Sequence, residues 1–151
     1  SPQAITSVNN VTYWMGVDKF YTYTGRVETL PCTLRQFIFN DFNYSQAYQT
    51  ISGSNEGYNE VWWMYPSQNS PVNDRYVIFN HLERIWYYGT INRTAWLDSA
   101  LRASPMAAFS VQTSYLNADI TATATNITLV DATSYPYSGS VQIGSEIFVR
   151  R

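Results

Sequence analysis

The sequence predicts an all-β protein: propeller-blade-like antiparallel hairpins with a short helix, followed by a small C-terminal β-hairpin module. Three observations carry this expectation. Asn59-Glu60-Val61-Trp62-Trp63-Met64-Tyr65-Pro66, Asp74-Arg75-Tyr76-Val77-Ile78-Phe79-Asn80 and Ile85-Trp86-Tyr87-Tyr88-Gly89-Thr90 are runs dense in Trp, Tyr, Val and Ile. Turn formers separate them and no helical period crosses them. The first run also has an echo upstream, since Asn10-Val11-Thr12-Tyr13-Trp14-Met15 shares its Asn, Trp and Met and places an aromatic before the Trp. The offset from Asn10 to Asn59 is 49 positions, a period that blade-type β repeats use. Finally, aromatic residues make up 17% of the 151-residue chain and charged residues only 13%. That balance excludes a disordered chain and favours large buried surfaces, in a core or against partners.

Taken in order, residues 1–9 are polar and read as a linker. Val11–Met15 and Lys19–Tyr23 read as strands joined by the tight turn Gly16-Val17-Asp18, and Thr24-Gly25-Arg26 turns the chain again before Leu30-Pro31 breaks the sheet. Thr33 stands where an N-cap would, ahead of Leu34, Phe37 and Ile38 at helical spacing, although Phe37-Ile38-Phe39 suits a strand equally. Ser45 is placed to cap a turn through Gln46-Ala47-Tyr48, and Ser52–Gly57 reads as a loop.

The second unit follows. Val61–Tyr65 is a strand stopped by Pro66, and Arg75–Asn80 and Ile85–Thr90 are strands joined through His81-Leu82-Glu83-Arg84. Asn80 can bond the turn amides with its side chain, and the Trp86 indole is expected to cover the hairpin edge. Thr94-Ala95-Trp96-Leu97 should pack against that hairpin. From about Leu116 the composition shifts to Thr, Ser and Ala. There Asn126–Val130 reads as a strand, and Ser140–Ile143 with Glu146–Val149 as a hairpin across Gly144-Ser145. The expected division is a blade-like domain over 1–112 with two Trp-rich units, and a small β module over 113–151.

The same composition bounds the function. Nine Lys and Arg against eleven Asp and Glu give a formal net charge of −2, with no basic stripe of the kind that displaces counterions from nucleic acid. Specific DNA binding is therefore not expected, whereas a surface that DNA slides past would be neutral or acidic like this one. Cys32 is the one cysteine, so the chain has no internal disulfide and no thiol metal cluster; a buried structural thiol is the expectation. The Asn-x-Ser/Thr triplets at Asn10, Asn43, Asn92 and Asn126 suit chance in an Asn-, Ser- and Thr-rich chain. No apolar run approaches the roughly 18 residues that span a bilayer. The chain opens Ser1-Pro2 without a leader pattern, so a segment of a longer protein is expected.

Residues for chemistry are sparse. His81, the one histidine, falls in a turn and is expected to be exposed and solvated. There is no phosphate-cradling glycine loop, nucleophile elbow or His-rich metal spacing. No catalytic, cofactor or metal residue is therefore assigned, and no enzyme activity is expected. Two alternatives concern sugars. A glycoside hydrolase would draw a carboxylate pair from Asp41, Glu60, Asp74, Glu83 and Asp98. Of these, Asp74 and Glu83 read as ordinary solvated charges beside Arg75 and Arg84. A carbohydrate-binding module would instead offer Trp62 or Trp86 as an exposed stacking platform.

Two stretches resemble the tail tube or nozzle proteins of short-tailed bacteriophages, the β-propeller ring below the portal and adaptor. One runs Val11-Thr12-Tyr13-Trp14-Met15-Gly16-Val17-Asp18-Lys19-Phe20 through to Leu30-Pro31-Cys32. The other runs from Gly57-Tyr58-Asn59 through the Trp-rich strand and Asp74-Arg75-Tyr76-Val77 to Trp86-Tyr87-Tyr88-Gly89-Thr90 and Arg93-Thr94-Ala95-Trp96-Leu97-Asp98. The resemblance covers about residues 1–108, and the C-terminal module is similar to small β modules of phage virion proteins. It implies a structural virion protein of the tail, assembled in the host bacterial cytoplasm. Copies would form a ring that meets portal, adaptor and fibre proteins around a channel for DNA, with no membrane partner and no cofactor. The chain departs from the family in length, because two blade-like units cannot close a propeller of four or more.

Overall fold

The computed structural model describes residues 1–99, 101–102, 104–109, 139–143 and 146–150. The fold is all-β, built from antiparallel sheets with little helix. In the first compact unit, Ser1–Ser110, two four-stranded sheets are each a simple meander. Sheet I contains β1 (Ile5–Val8), β2 (Val11–Met15), β3 (Phe20–Tyr23) and β4 (Val27–Leu30). Sheet II contains β5 (Ile51–Asn55), β6 (Glu60–Tyr65), β7 (Arg75–Asn80) and β8 (Ile85–Thr90). A short hairpin of β9 (Ala95–Leu97) and β10 (Met106–Ala108) follows. The leading strands lie side by side in series, β1 against β5 and β5 against β9. Ser52 of β5 holds the segment leading into β1, its amide and hydroxyl both donating to the Gln3 carbonyl at 2.9 and 3.1 Å.

The echo in the sequence corresponds to an equivalent backbone position, although the two connections differ in length. Asn10 and Asn59 both hold positive φ, 63° and 59°, immediately before the second strand of their sheets. Asn9 is left-handed too, at φ 51°, so Asn9-Asn10 is a two-residue hairpin turn with both central residues at positive φ, as a primed turn requires. Asn tolerates that region where a β-branched residue does not, which explains why the repeat keeps this residue type.

Between the sheets runs α1 (Arg35–Asn40), which resolves the helix-or-strand ambiguity of Phe37-Ile38-Phe39 in favour of helix. Its cap is Leu34 with no side-chain bond, so Thr33 does not cap it. A 3₁₀ turn over Tyr44–Gln49 is capped by Asn43, whose Oδ1 accepts from the Ser45 amide, where the sequence reading had placed Ser45 itself. The core lies between the sheets: Val8, Tyr13, Met15, Phe20 and Leu30 from sheet I, Val61, Trp63, Tyr65, Val77 and Phe79 from sheet II, and Ile38, Phe39 and Phe42 from the connection.

Two strands contradict the reading of the sequence, and a third adds to it. Residues 1–9 are not a linker, because Ile5–Val8 pairs with β2 and Ala4 and Val8 are buried. Val27–Leu30 forms a fourth strand that was not anticipated. Ser52–Gly57 is not a loop, since β5 occupies Ile51–Asn55 and a 3₁₀ turn covers Glu56–Tyr58. The reason is close packing: a Cβ built on Gly53 would fall inside the Trp96 ring, so the position demands a residue that pattern reading takes for a loop.

The second compact unit is Val111–Arg151. Its described part is the antiparallel pair β11 (Gly139–Ile143) and β12 (Glu146–Arg150), the strands expected for the C-terminal hairpin. The expected Gly144-Ser145 turn and the Asn126–Val130 strand lie outside the described residues.

Candidate functional site

Alternation along each strand gives every sheet two faces, and the register assigns the aromatics to them. In sheet II, Val61, Trp63, Tyr65, Val77, Phe79, Trp86 and Tyr88 share the face toward sheet I, while Trp62, Met64, Tyr76 and Ile78 share the other. Trp63 is fully buried. Its Nε1 donates to the Ala4 carbonyl at 3.1 Å, and its ring meets Phe20 at 4.9 Å and Trp86 at 6.0 Å between centroids. Trp86 does more than cover its own hairpin edge. It packs on Phe79 within sheet II and Phe20 across in sheet I, and its Nε1 donates to the Pro31 carbonyl at 3.0 Å.

On the far face of sheet II, Trp62 stacks between Tyr76 and Trp96, each at 5.0 Å. The Trp96 Nε1 donates to the Ser54 carbonyl at 2.7 Å, so β9 packs over the β5 side of the sheet and not over the β7–β8 hairpin. Trp62 and Trp86, the two sugar-platform candidates, are thus both half-buried and engaged with other aromatic rings.

The carboxylates are spread through the fold, and four of the five hold local structure. Asp41 pairs with Arg75 at 3.2 Å in a shallow open groove beside Phe37 and Tyr88. Glu60 accepts from Trp62 Nε1 and Asn55 Nδ2. Asp74 accepts from the Ser67 amide and hydroxyl, both at 2.7 Å, so it is a loop clasp, contrary to its reading as a solvated charge. Asp98 accepts from the Glu56 amide at 2.7 Å and from Ser54 Oγ at 3.3 Å, tying the end of β9 to β5. Glu83 is exposed in the β7–β8 turn, as expected. That turn is held by Asn80, whose Oδ1 accepts from the Leu82 and Glu83 amides, which is the role assigned to it from sequence.

His81 is half-buried, contrary to expectation. It stacks on Tyr13 at 6.4 Å and 25°, and its enclosed Nε2 has no hydrogen-bond partner among the described residues. Cys32 packs against the core cluster, and burial pushes its thiol up to about 11. Among the described residues no cluster of three or more His, Cys, Asp or Glu side chains is placed to hold a metal ion, and no helix is long and apolar enough to cross a membrane.

What the sequence reading missed is a surface. The face of sheet I turned away from sheet II carries Ile5, Trp14, Tyr21, Tyr23 and Val27, with Trp14 stacked on Tyr21 at 5.4 Å and 15°. Tyr23 is 46% exposed and Val27 64%. The signal was present in the repeat, because the offset that aligns Asn10 with Asn59 also aligns Trp14 with the buried Trp63.

No protein-family model matches the chain, and no curated protein matches it either.

Proposed function

We propose that this chain is a structural component of a short-tailed bacteriophage tail, contributing blades to a nozzle or hub ring through which genomic DNA leaves the particle. The observation that carries the reading is the use made of the indoles. Trp62, Trp63, Trp86 and Trp96 all hold successive sheets face to face, Trp63 and Trp86 between sheets I and II and Trp62 with Trp96 between sheet II and the β9–β10 hairpin. Meanders stacked with their leading strands adjacent are the building plan of a propeller, and the resemblance over residues 1–108 points the same way. On this reading the work is assembly. Aromatic faces with few charges to desolvate join copies of the chain to one another and to portal, adaptor and fibre proteins. DNA crosses the channel without being gripped, and the ring is assembled in the host bacterial cytoplasm.

The test is particle composition. Peptides of this chain should be recovered from purified infectious particles, and antiserum raised against it should label the tail below the portal. Peptides absent from such particles, or specific retention of the purified chain on a glycan array, would overturn the assignment in favour of a sugar-binding module.

A further inference from the structure

The repeat makes the two sheets comparable residue by residue. Its offset carries Tyr13 onto Trp62, Trp14 onto Trp63 and Met15 onto Met64. The faces agree with that alignment. Tyr13 and Met15 point onward into the core shared with sheet II, and Trp62 and Met64 point onward toward β9. Trp63 points backward and is fully buried against sheet I. Trp14 also points backward, and Ile5, Tyr21, Tyr23 and Val27 share its face with substantial exposure at Ile5, Tyr23 and Val27. The equivalent face one repeat later is covered by a preceding sheet of this same chain.

The other end of the series is complementary. Trp96 faces sheet II, so the alternate residues Ala95 and Leu97, with their partners Ala108 and Met106, form the far side of the β9–β10 hairpin. All four are apolar and exposed. The backward face of sheet I likewise has no charged strand residue, so neither surface would strand an ion on contact. The leading strands run β1, β5, β9, and the next place in that series lies beyond β9.

We propose that the backward face of sheet I is a docking surface for the far side of the β9–β10 hairpin of a second copy, so that β1 of one copy continues the series after β9 of the other. Such a contact joins unlike surfaces head to tail, and its rotation decides whether copies close into a ring or run on as a filament. The inference deepens the ring reading and rests on it for its biological setting. Its experiment is performed on the purified chain in solution, so failure there removes this interface and leaves particle labelling to decide the virion assignment.

Sedimentation equilibrium of the full 151-residue chain should show concentration-dependent self-association. Val27→Glu on one surface and Leu97→Glu on the other should each weaken it at least tenfold, while Leu82→Glu in the exposed β7–β8 turn should not. Circular dichroism and thermal midpoints should stay near wild type, because all three positions are exposed. The decisive arm is an equimolar mixture of the Val27→Glu and Leu97→Glu proteins. Each retains the surface the other has lost, so the mixture should form a dimer and stop there. A symmetric contact would give no such rescue and would overturn the proposal. So would a wild-type chain that stays monomeric at about 100 μM, or variants that associate like wild type. Hydrogen-exchange protection of β3 and β4 in a monomer would assign the cover to another part of the same chain, with the same consequence.

Discussion

Trp63 shows how much of this fold one side chain holds. Its ring fills the space between the two sheets, and its indole N–H satisfies the Ala4 carbonyl at the entry to β1. Trp63→Ala should cost about 3–5 kcal/mol, the range for removing a large buried aromatic, while Trp63→Phe should cost less because the ring volume is mostly kept. Urea unfolding measures both, and an alanine variant within about 1 kcal/mol of wild type would contradict the packing described. Cys32 gives a pH signature. Burial raises its thiol from the ordinary 9.0 to about 11, so the folded chain keeps a proton that the unfolded chain releases in that interval. The stability the protonated thiol contributes is therefore fully present below about pH 9 and lost as pH rises toward 11. Tyr65 and Tyr13, both raised from the ordinary 10.0 chiefly by burial, add losses of the same sign from about pH 10 upward. The thermal midpoint should decline from pH 9 to 11, and Cys32→Ser should make that decline shallower. An unchanged slope in the serine variant would remove Cys32 from the account.

Turns and leading strands are where element-level constraints sit. Asn59 at φ 59° should accept Gly with little loss, whereas Asn59→Val should cost about 1–2 kcal/mol, since a β-branched residue is disfavoured in the left-handed region. Parallel chemical denaturation of the two variants checks this, and equal midpoints would argue against a strained turn. Gly53 marks a different constraint, close approach. Gly53→Ala should displace the Trp96 ring and loosen β9 from sheet II, at roughly 1–3 kcal/mol for an overpacked contact. The indole N–H bond to Ser54 would then open, and amide exchange in β9 should quicken while β2 and β3 stay protected. The strands legible from sequence, β2, β3, β6, β7 and β8, are those rich in Trp, Tyr, Phe and Val. The illegible ones, β1, β4 and β5, have no Trp, Tyr or Phe and carry Ser, Thr or Gly. In β5 the small residue Gly53 answers to the Trp96 ring, a neighbour that does not appear in any local window.

At the scale of the whole molecule, the low charge content and the exposed aromatic face of sheet I suit the proposed contact between proteins. Eleven acidic against nine basic residues give a formal net charge of −2, and the proposed channel role expects no electrostatic grip on DNA. The chain should pass over immobilised duplex DNA at about 50 mM salt without retention, and a salt-sensitive retained fraction would contradict the inert-channel reading. The candidate surface was only half legible. The repeat named Trp14 and Trp63 as counterparts, yet nothing in sequence could say that one would be enclosed and the other left beside exposed Tyr23 and Val27.

Composition and periodicity alone determined that this chain is all-β, rich in aromatic faces and built on a repeat of about fifty residues, because strand alternation and turn chemistry are local properties. Tertiary structure alone decided which face of each sheet is covered, that a glycine-serine run is a strand, and that His81 is half-buried against Tyr13. Those outcomes depend on which sheet packs on which, and packing joins residues that are far apart along the chain.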